Sequence, residues 1–204
     1  MVWWRRPSLS LGQLVSEGFV AIDLETTGLD TRRDAIVSLA AIPFVAGRPQ
    51  PGLRTHVNPG RPIPAAATAI HGLDDAAVAD APTIAAVLPR LAAACENRIL
   101  VGYAIDFDLA ILTREARAHA RPRLRNVALD ARDLARALDR ERPAASLEAL
   151  AERLGVPAVG RHTAPGDAII AAHIVLEQIR ALEARGARTV AELVRLQRAA
   201  RAGR

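Results

Sequence analysis

Apolar positions in the first half of the chain recur at every second residue. Within residues 19–28, Val20, Ile22 and Leu24 alternate with Asp23 and Glu25. A strand there carries its apolar side chains on one face and both acids on the other, roughly 6 to 7 Å apart along the chain. Gly28 then breaks it. A second alternating run covers 35–44 with Val37, Leu39 and Ala41, and a third covers 53–57 after the turn-rich segment 47–52. Three strands on short connections predict an antiparallel meander. Residues 58–64 read as a Pro/Gly loop, and Ile70-His-Gly-Leu-Asp74 continues the loop beyond it.

The period then lengthens from two to that of a helix. Ile84, Val87, Leu88 and Leu91 share one helical face within 82–96, and a brief apolar strand follows at 99–102. Further helices are predicted over 106–120, 133–138, 146–154, 165–185 and 189–201, with a fifth strand at 127–130. A meander followed by strand–helix–strand crossovers predicts a mixed α/β fold. Residues 1–18 read as a lead-in, in which Trp3 and Trp4 precede Arg5, Arg6 and Pro7; the tryptophans either dock on a partner or cover the domain edge. Residues 19–204 read as one domain without internal repeat or linker, frayed only at 199–204.

At 204 residues and 50% hydrophobic, the chain has enough apolar surface for one well-formed core. A net charge of +5 suggests a polyanionic partner. That inference is weakened because every basic residue is Arg and the chain is rich in Ala, Gly and Pro, a bias that base composition alone produces. The absence of Lys excludes Schiff-base chemistry, pyridoxal phosphate attachment and the P-loop. Cys95 is the single cysteine, so neither a disulfide framework nor a zinc–thiolate site is available, and it reads as a buried, inert thiol. No signal peptide or long uncharged apolar run is present, which predicts a soluble cytoplasmic protein without membrane contact.

Candidate chemistry gathers at the ends of these elements. Two carboxylates on one strand face repel each other near a core unless a cation lies between them, and a hard divalent ion with oxygen ligands suits that place. A strand end with two solvated acids is the alternative. Asp106 is positioned to cap the helix after 99–102, which puts Asp108 in its first turn; alone, Asp108 reads equally as an acid favoured at a helix N-terminus. His162 and Asp167 are five residues apart, about 500° around a helix, so they share a site only if His162 precedes the helix. Thr163 as cap and Pro165 in the first turn supply that break. A loop histidine there is either a proton carrier or a solvated side chain.

These groups resemble a known family. Asp23-Leu-Glu25-Thr-Thr-Gly-Leu, Phe107-Asp108 and His162 with its four-residue gap to Asp167 resemble, in order, the three motifs of the DEDDh (DnaQ-like) 3′-to-5′ exonucleases, which include the proofreading subunit of bacterial replicative DNA polymerases. Ile70–Asp74, Leu129-Asp-Ala-Arg-Asp-Leu-Ala-Arg136 and Ser146-Leu-Glu-Ala-Leu150 are weaker echoes, and the resemblance runs from about residue 19 to 185. It implies an RNase H-like fold: a mixed five-stranded sheet, its first three strands antiparallel, with helices on both faces. It implies that Asp23, Glu25, Asp108 and Asp167 hold two Mg²⁺ or Mn²⁺ ions and that His162 is the general base. Thr26 and Leu29 would grip the 3′-terminal nucleotide of a single strand, and His71 would stand near the scissile end or be structural. A monomer working with or without a DNA polymerase is expected; an RNA-trimming enzyme and a non-catalytic docking module are the alternatives. The family commonly has His-Asn before the second motif, where this chain has Tyr103-Ala104. Tyr103 would then either stack a base or turn inward to end its strand.

Overall fold

A computed structural model describes residues 8–140 and 145–202. The Trp3–Trp4 pair and the Arg5, Arg6 and Pro7 that follow lie outside the described residues. The elements in order are α1 (Leu11–Glu17), β1 (Phe19–Thr26), β2 (Ile36–Val45), β3 (Arg48–Pro49), β4 (Leu53–His56), α2 (Ala65–His71), α3 (Asp75–Val78), α4 (Ile84–Cys95), β5 (Leu100–Gly102), α5 (Asp106–Ala118), β6 (Ala128–Asp130), α6 (Ala131–Leu138), α7 (Leu147–Leu154), α8 (Ala164–Ala184) and α9 (Val190–Ala202).

The strands form one mixed six-stranded sheet in the order β3-β2-β1-β5-β6, with β4 also paired to β2. The expected meander is β1, β2 and β4, all antiparallel, while β5 joins β1 and β6 joins β5 in parallel. The strand beyond the expected five, β3, is a two-residue pairing with Phe44 and Val45 at the hairpin end. It is too short to leave a periodic signal.

Strand alternation distributes the core over both faces of the sheet. Phe19 and Ala21 pack with α1, α6, α7, α8 and α9, while Val20, Ile22 and Leu24 pack with α4 and α5. Asp23 and Glu25 continue the Phe19/Ala21 row, so both acids face the side where α8 crosses the sheet. Val20 and Ile22 are fully buried, and Cys95 is buried too, with its thiol pushed up to about 12 by burial, in keeping with an inert role.

Helix α1 lies within the segment expected as a lead-in. Ser10 and Gln13 form a capping box, and Leu11 and Leu14 are fully buried against the sheet. The helix hides because its apolar stripe is short, Leu11 and Leu14 with Val15 partly buried beside them. Helix α2 lies where a loop was expected, for the same reason: only Ala67 and His71 of its seven residues are buried. Gly72 ends it in the left-handed region at φ 75°. The C-terminal segment is not frayed at Arg201, which pairs with Asp106 at 2.9 Å, with Asp130 at 3.7 Å and with Asp133.

Candidate active site

Strand β1 delivers its acids at an irregularity. The β1–β2 register shifts between Glu25 and Thr26, a bulge where the strand leaves the ladder. Asp23 and Glu25 stand just before it, half-buried. Asp108 arrives from the first turn of α5. Asp106 does not cap that helix as expected: the capping position is Ile105, in helical conformation, and Asp106 is already its first residue. The turn is instead set by Ala104 at φ 51°, whose N–H donates to Asp130 Oδ1 at 3.0 Å. Asp108 is buried there, in the first turn where the sequence placed it.

The fourth acid comes from α8. Thr163 caps that helix, its Oγ1 accepting from Gly166 N at 3.1 Å and donating to the Gly160 carbonyl at 2.7 Å, with Pro165 in the first turn. The loop folds so closely over the helix start that a Cβ on Gly166 would lie 1.8 Å from the Gly160 carbonyl oxygen. Only glycine fits there. Asp167 is thus buried inside the first turn, and His162 sits on the loop before it, as the spacing required. His162 holds φ 59°, a conformation that L residues seldom adopt and that tends to persist at functional sites. Its side chain is half-exposed, and Nε2 lies 4.0 Å from Glu148 Oε1 on α7.

Carboxylate oxygens of Asp23, Glu25 and Asp167 lie within 4.8 Å of one another. Asp108 is outside that triplet yet close enough for its charge to act on Asp23. Burial, then the charges of Asp108, Asp167 and Glu25, hold the Asp23 carboxyl well above the usual range, with Arg161 opposing. Burial and Asp167 raise Glu25 to about 7, again against Arg161. Asp108 is raised chiefly by burial, while the backbone of Asp108 and Leu24 pulls it down. Asp167 Oδ1 is buried without a hydrogen-bond partner among the described residues. An all-oxygen donor set with crowded acids and an unpartnered buried oxygen fits a hard divalent cation.

Arg161 was given no role from the sequence. Its guanidinium pairs with Asp167 and with Glu148, and Nε donates to Glu148 Oε1 at 2.9 Å. The signal was its place beside His162, and Glu148 lies in one of the weaker echoes, but neither residue type is diagnostic without the geometry.

The expected substrate-side residues lie around the end of β1. Thr26 is buried and its Oγ1 donates to the Gly28 carbonyl at 2.7 Å. Leu29 is 87% exposed at the tip of a loop braced by Thr27 Oγ1 on Asp34 Oδ1 at 2.9 Å and by Arg114 Nη1 on the Thr31 carbonyl at 2.7 Å. His71 is the last residue of α2 and is buried; its Nδ1 accepts from Leu73 N at 3.1 Å, which leaves the proton on Nε2. Burial lowers its pKa, partly offset by the Thr26 backbone, so His71 adjoins the strand end.

A family model described as an exonuclease (RNase_T) matches residues 20–175, a span that contains all four acids and His162. The chain belongs to the RNase_T exonuclease family. The chain is 43% identical over 176 residues to the DNA polymerase III subunit epsilon-like protein of Rhodobacter capsulatus, covering 84% of itself and 25% of that relative. It is 30% identical to the DNA polymerase III subunit epsilon of Aquifex aeolicus, over 83% of itself and 84% of that protein. Among solved structures, exonuclease X in complex with 5′-overhanging duplex DNA superposes with a TM-score of 0.66 at 27% identity, covering 88% of this chain and 99% of that one. The chain thus spans about a quarter of the length of the Rhodobacter relative.

In this chain Tyr103 turns inward. Tyr103 Oη donates to the Ala145 carbonyl at 2.8 Å, the ring packs against the core, and the Arg132 guanidinium lies 6.0 Å over its centroid. An open stacking platform would leave the hydroxyl and ring faces free, so the inward alternative describes the observed side chain. Tyr103→Phe is expected to lose about 1 kcal/mol of stability for the single hydrogen bond. Tyr103→Ala should lose about 1–3 kcal/mol, and denaturant melts check both. Retained stability together with a raised KM for oligonucleotides would return Tyr103 to the substrate. Ala104 occupies left-handed backbone at φ 51°, which is unfavourable for a residue with a Cβ. Ala104→Gly is expected to stabilise the protein by about 0.5–1 kcal/mol, the strain relieved less the added freedom of the unfolded chain. A lower melting temperature would show that the turn is not strained.

Proposed function

We propose that this chain is a 3′-to-5′ exonuclease that removes nucleotides from the 3′ end of single-stranded DNA by metal-dependent phosphodiester hydrolysis. The observation that carries the reading is the convergence of acids from β1, α5 and α8, with His162 on the loop that leads directly into α8 and held there in left-handed backbone. Asp23, Glu25, Asp108 and Asp167 would hold two ions, Mg²⁺ or Mn²⁺. When bound, such ions supply the positive charge that stabilises an in-line displacement at phosphorus and acidify the attacking water. His162, half-exposed on the loop before α8, would take a proton from the attacking water. Thr26 and Leu29 receive the terminal nucleotide, the one through backbone and hydroxyl and the other through its exposed apolar side chain; His71 supports the strand end from behind.

Residues 19–204 form the catalytic domain in this reading, with helix α1 packed onto it. DNA is favoured over RNA because the relatives are named as DNA polymerase subunits and the exonuclease X structure holds DNA. The same names support a DNA polymerase as partner. The enzyme would act as a monomer in the cytoplasm; among the described residues no helix is long and apolar enough to cross a membrane. Matched single-stranded DNA and RNA, labelled at either end, test the proposal. With 5′-labelled DNA the expected product is a ladder shortened from the 3′ end, and with 3′-labelled DNA a single mononucleotide. Internal cuts, attack from the 5′ end or exclusive use of RNA would overturn it.

A further inference from the structure

Arg161 is a cation that the chain itself places among these acids. Its side chain is only 18% exposed, and it bridges two carboxylates of different kinds. Asp167 belongs to the oxygen triplet, is buried, and keeps Oδ1 unpartnered among the described residues. Glu148 stands on α7 outside that triplet, and its side chain is half-exposed. The planar guanidinium presents donors on two edges, so it can engage both acids together or keep one and release the other. A buried carboxylate stripped of its counter-ion is costly, whereas a half-exposed one is not, because water replaces the lost partner.

We propose that Arg161 is an internal competitor for the metal: it neutralises Asp167 in the metal-free protein, and yields Asp167 while keeping Glu148 when divalent cations enter. The inference rests on the reading of Asp23, Glu25, Asp108 and Asp167 as a metal centre. One guanidinium charge cannot balance four neighbouring acids, so the site stays electronegative and still attracts a divalent ion. Asp167 cannot serve a guanidinium and a cation fully at once, since like charges a few ångströms apart repel strongly in a site poor in water. Glu148 supplies a second partner within reach, so Arg161 is displaced without leaving the protein. The exchange also bears on His162, the next residue in the chain, whose Nε2 faces the same Glu148 oxygen at 4.0 Å.

The two partners of Arg161 give variants with opposite expected effects. Mn²⁺ binding is measured by calorimetry on the full chain for wild type, Arg161→Gln and Glu148→Gln, and each metal-free melting temperature is recorded. Arg161→Gln should bind Mn²⁺ about tenfold tighter, the scale of one like charge removed at short range in a partly screened site, and should melt lower in chelator. Glu148→Gln leaves Arg161, among the described residues, only Asp167 as an anionic partner and should bind Mn²⁺ several-fold more weakly. A purely structural ion pair would move both variants in the same direction, and that result, or unchanged affinity in both, would overturn the proposal. Each variant is informative even if the other fails to fold, because the predicted signs are separate. A wild-type protein that binds no Mn²⁺ would instead remove the metal-centre reading, and the inference with it.

Discussion

Removal of divalent metal is expected to abolish hydrolysis and to leave a protein that melts lower and loses further stability as pH rises. The four carboxylates have no function on their own that offsets their mutual repulsion, and burial already favours the protonated forms of Asp23, Glu25 and Asp108. Saturation at one hundred times Kd should stabilise the fold by about 2.7 kcal/mol, or about 5–10 °C for a chain of this size. The pH dependence follows from Glu25, whose carboxyl rises from an ordinary 4.5 to about 7 in the fold. Between those values the folded state binds more protons than the unfolded one, so stability is full below about pH 4.5 and is lost as pH climbs through 7. Asp23, also raised, acts in the same direction. Metal should remove this loss, because ligated carboxylates no longer gain from protonation. Melting curves in EDTA and in Mn²⁺ across that range test it. Full activity in excess chelator, or metal-free stability that rises with pH, would remove the metal-centre reading.

His162→Ala is expected to lower kcat by about 10² to 10⁴-fold, the usual contribution of a positioned general base, with Mn²⁺ affinity retained. Asp167→Ala should lose both activity and metal affinity, and it also deprives Arg161 of its buried partner. The contrast follows from position. Asp167 contributes an oxygen to the triplet, whereas His162 is half-exposed outside it and has Glu148 as its acidic neighbour. Rate loss in His162→Ala appears in kcat more than in KM if the proton is transferred in the transition state. If both variants bind Mn²⁺ equally poorly, His162 is a ligand or a structural group and the assignment as base is wrong.

Much of this arrangement is legible in the chain before any fold is known, because it depends on local rules. Alternation in residues 19–28 puts Asp23 and Glu25 on one face, and the Thr163–Pro165 break separates His162 from the helix that holds Asp167. The meander and the long helices follow from periods of two and of about 3.6, which strong apolar patterns enforce. Short elements escape for the same reason: α1, α2 and the two residues of β3 bury too little to imprint a period. Tertiary contacts decide the rest. Tyr103 turns inward because the Ala145 carbonyl and Arg132, both distant in sequence, meet it there. Arg201 is held by acids of α5, β6 and α6 rather than frayed. Arg161 reaches Asp167 and Glu148 only because α7 packs on α8. Which residues carry the acids is a property of the sequence; which cation sits among them depends on helices brought together from separate stretches, and no local pattern encodes that distance.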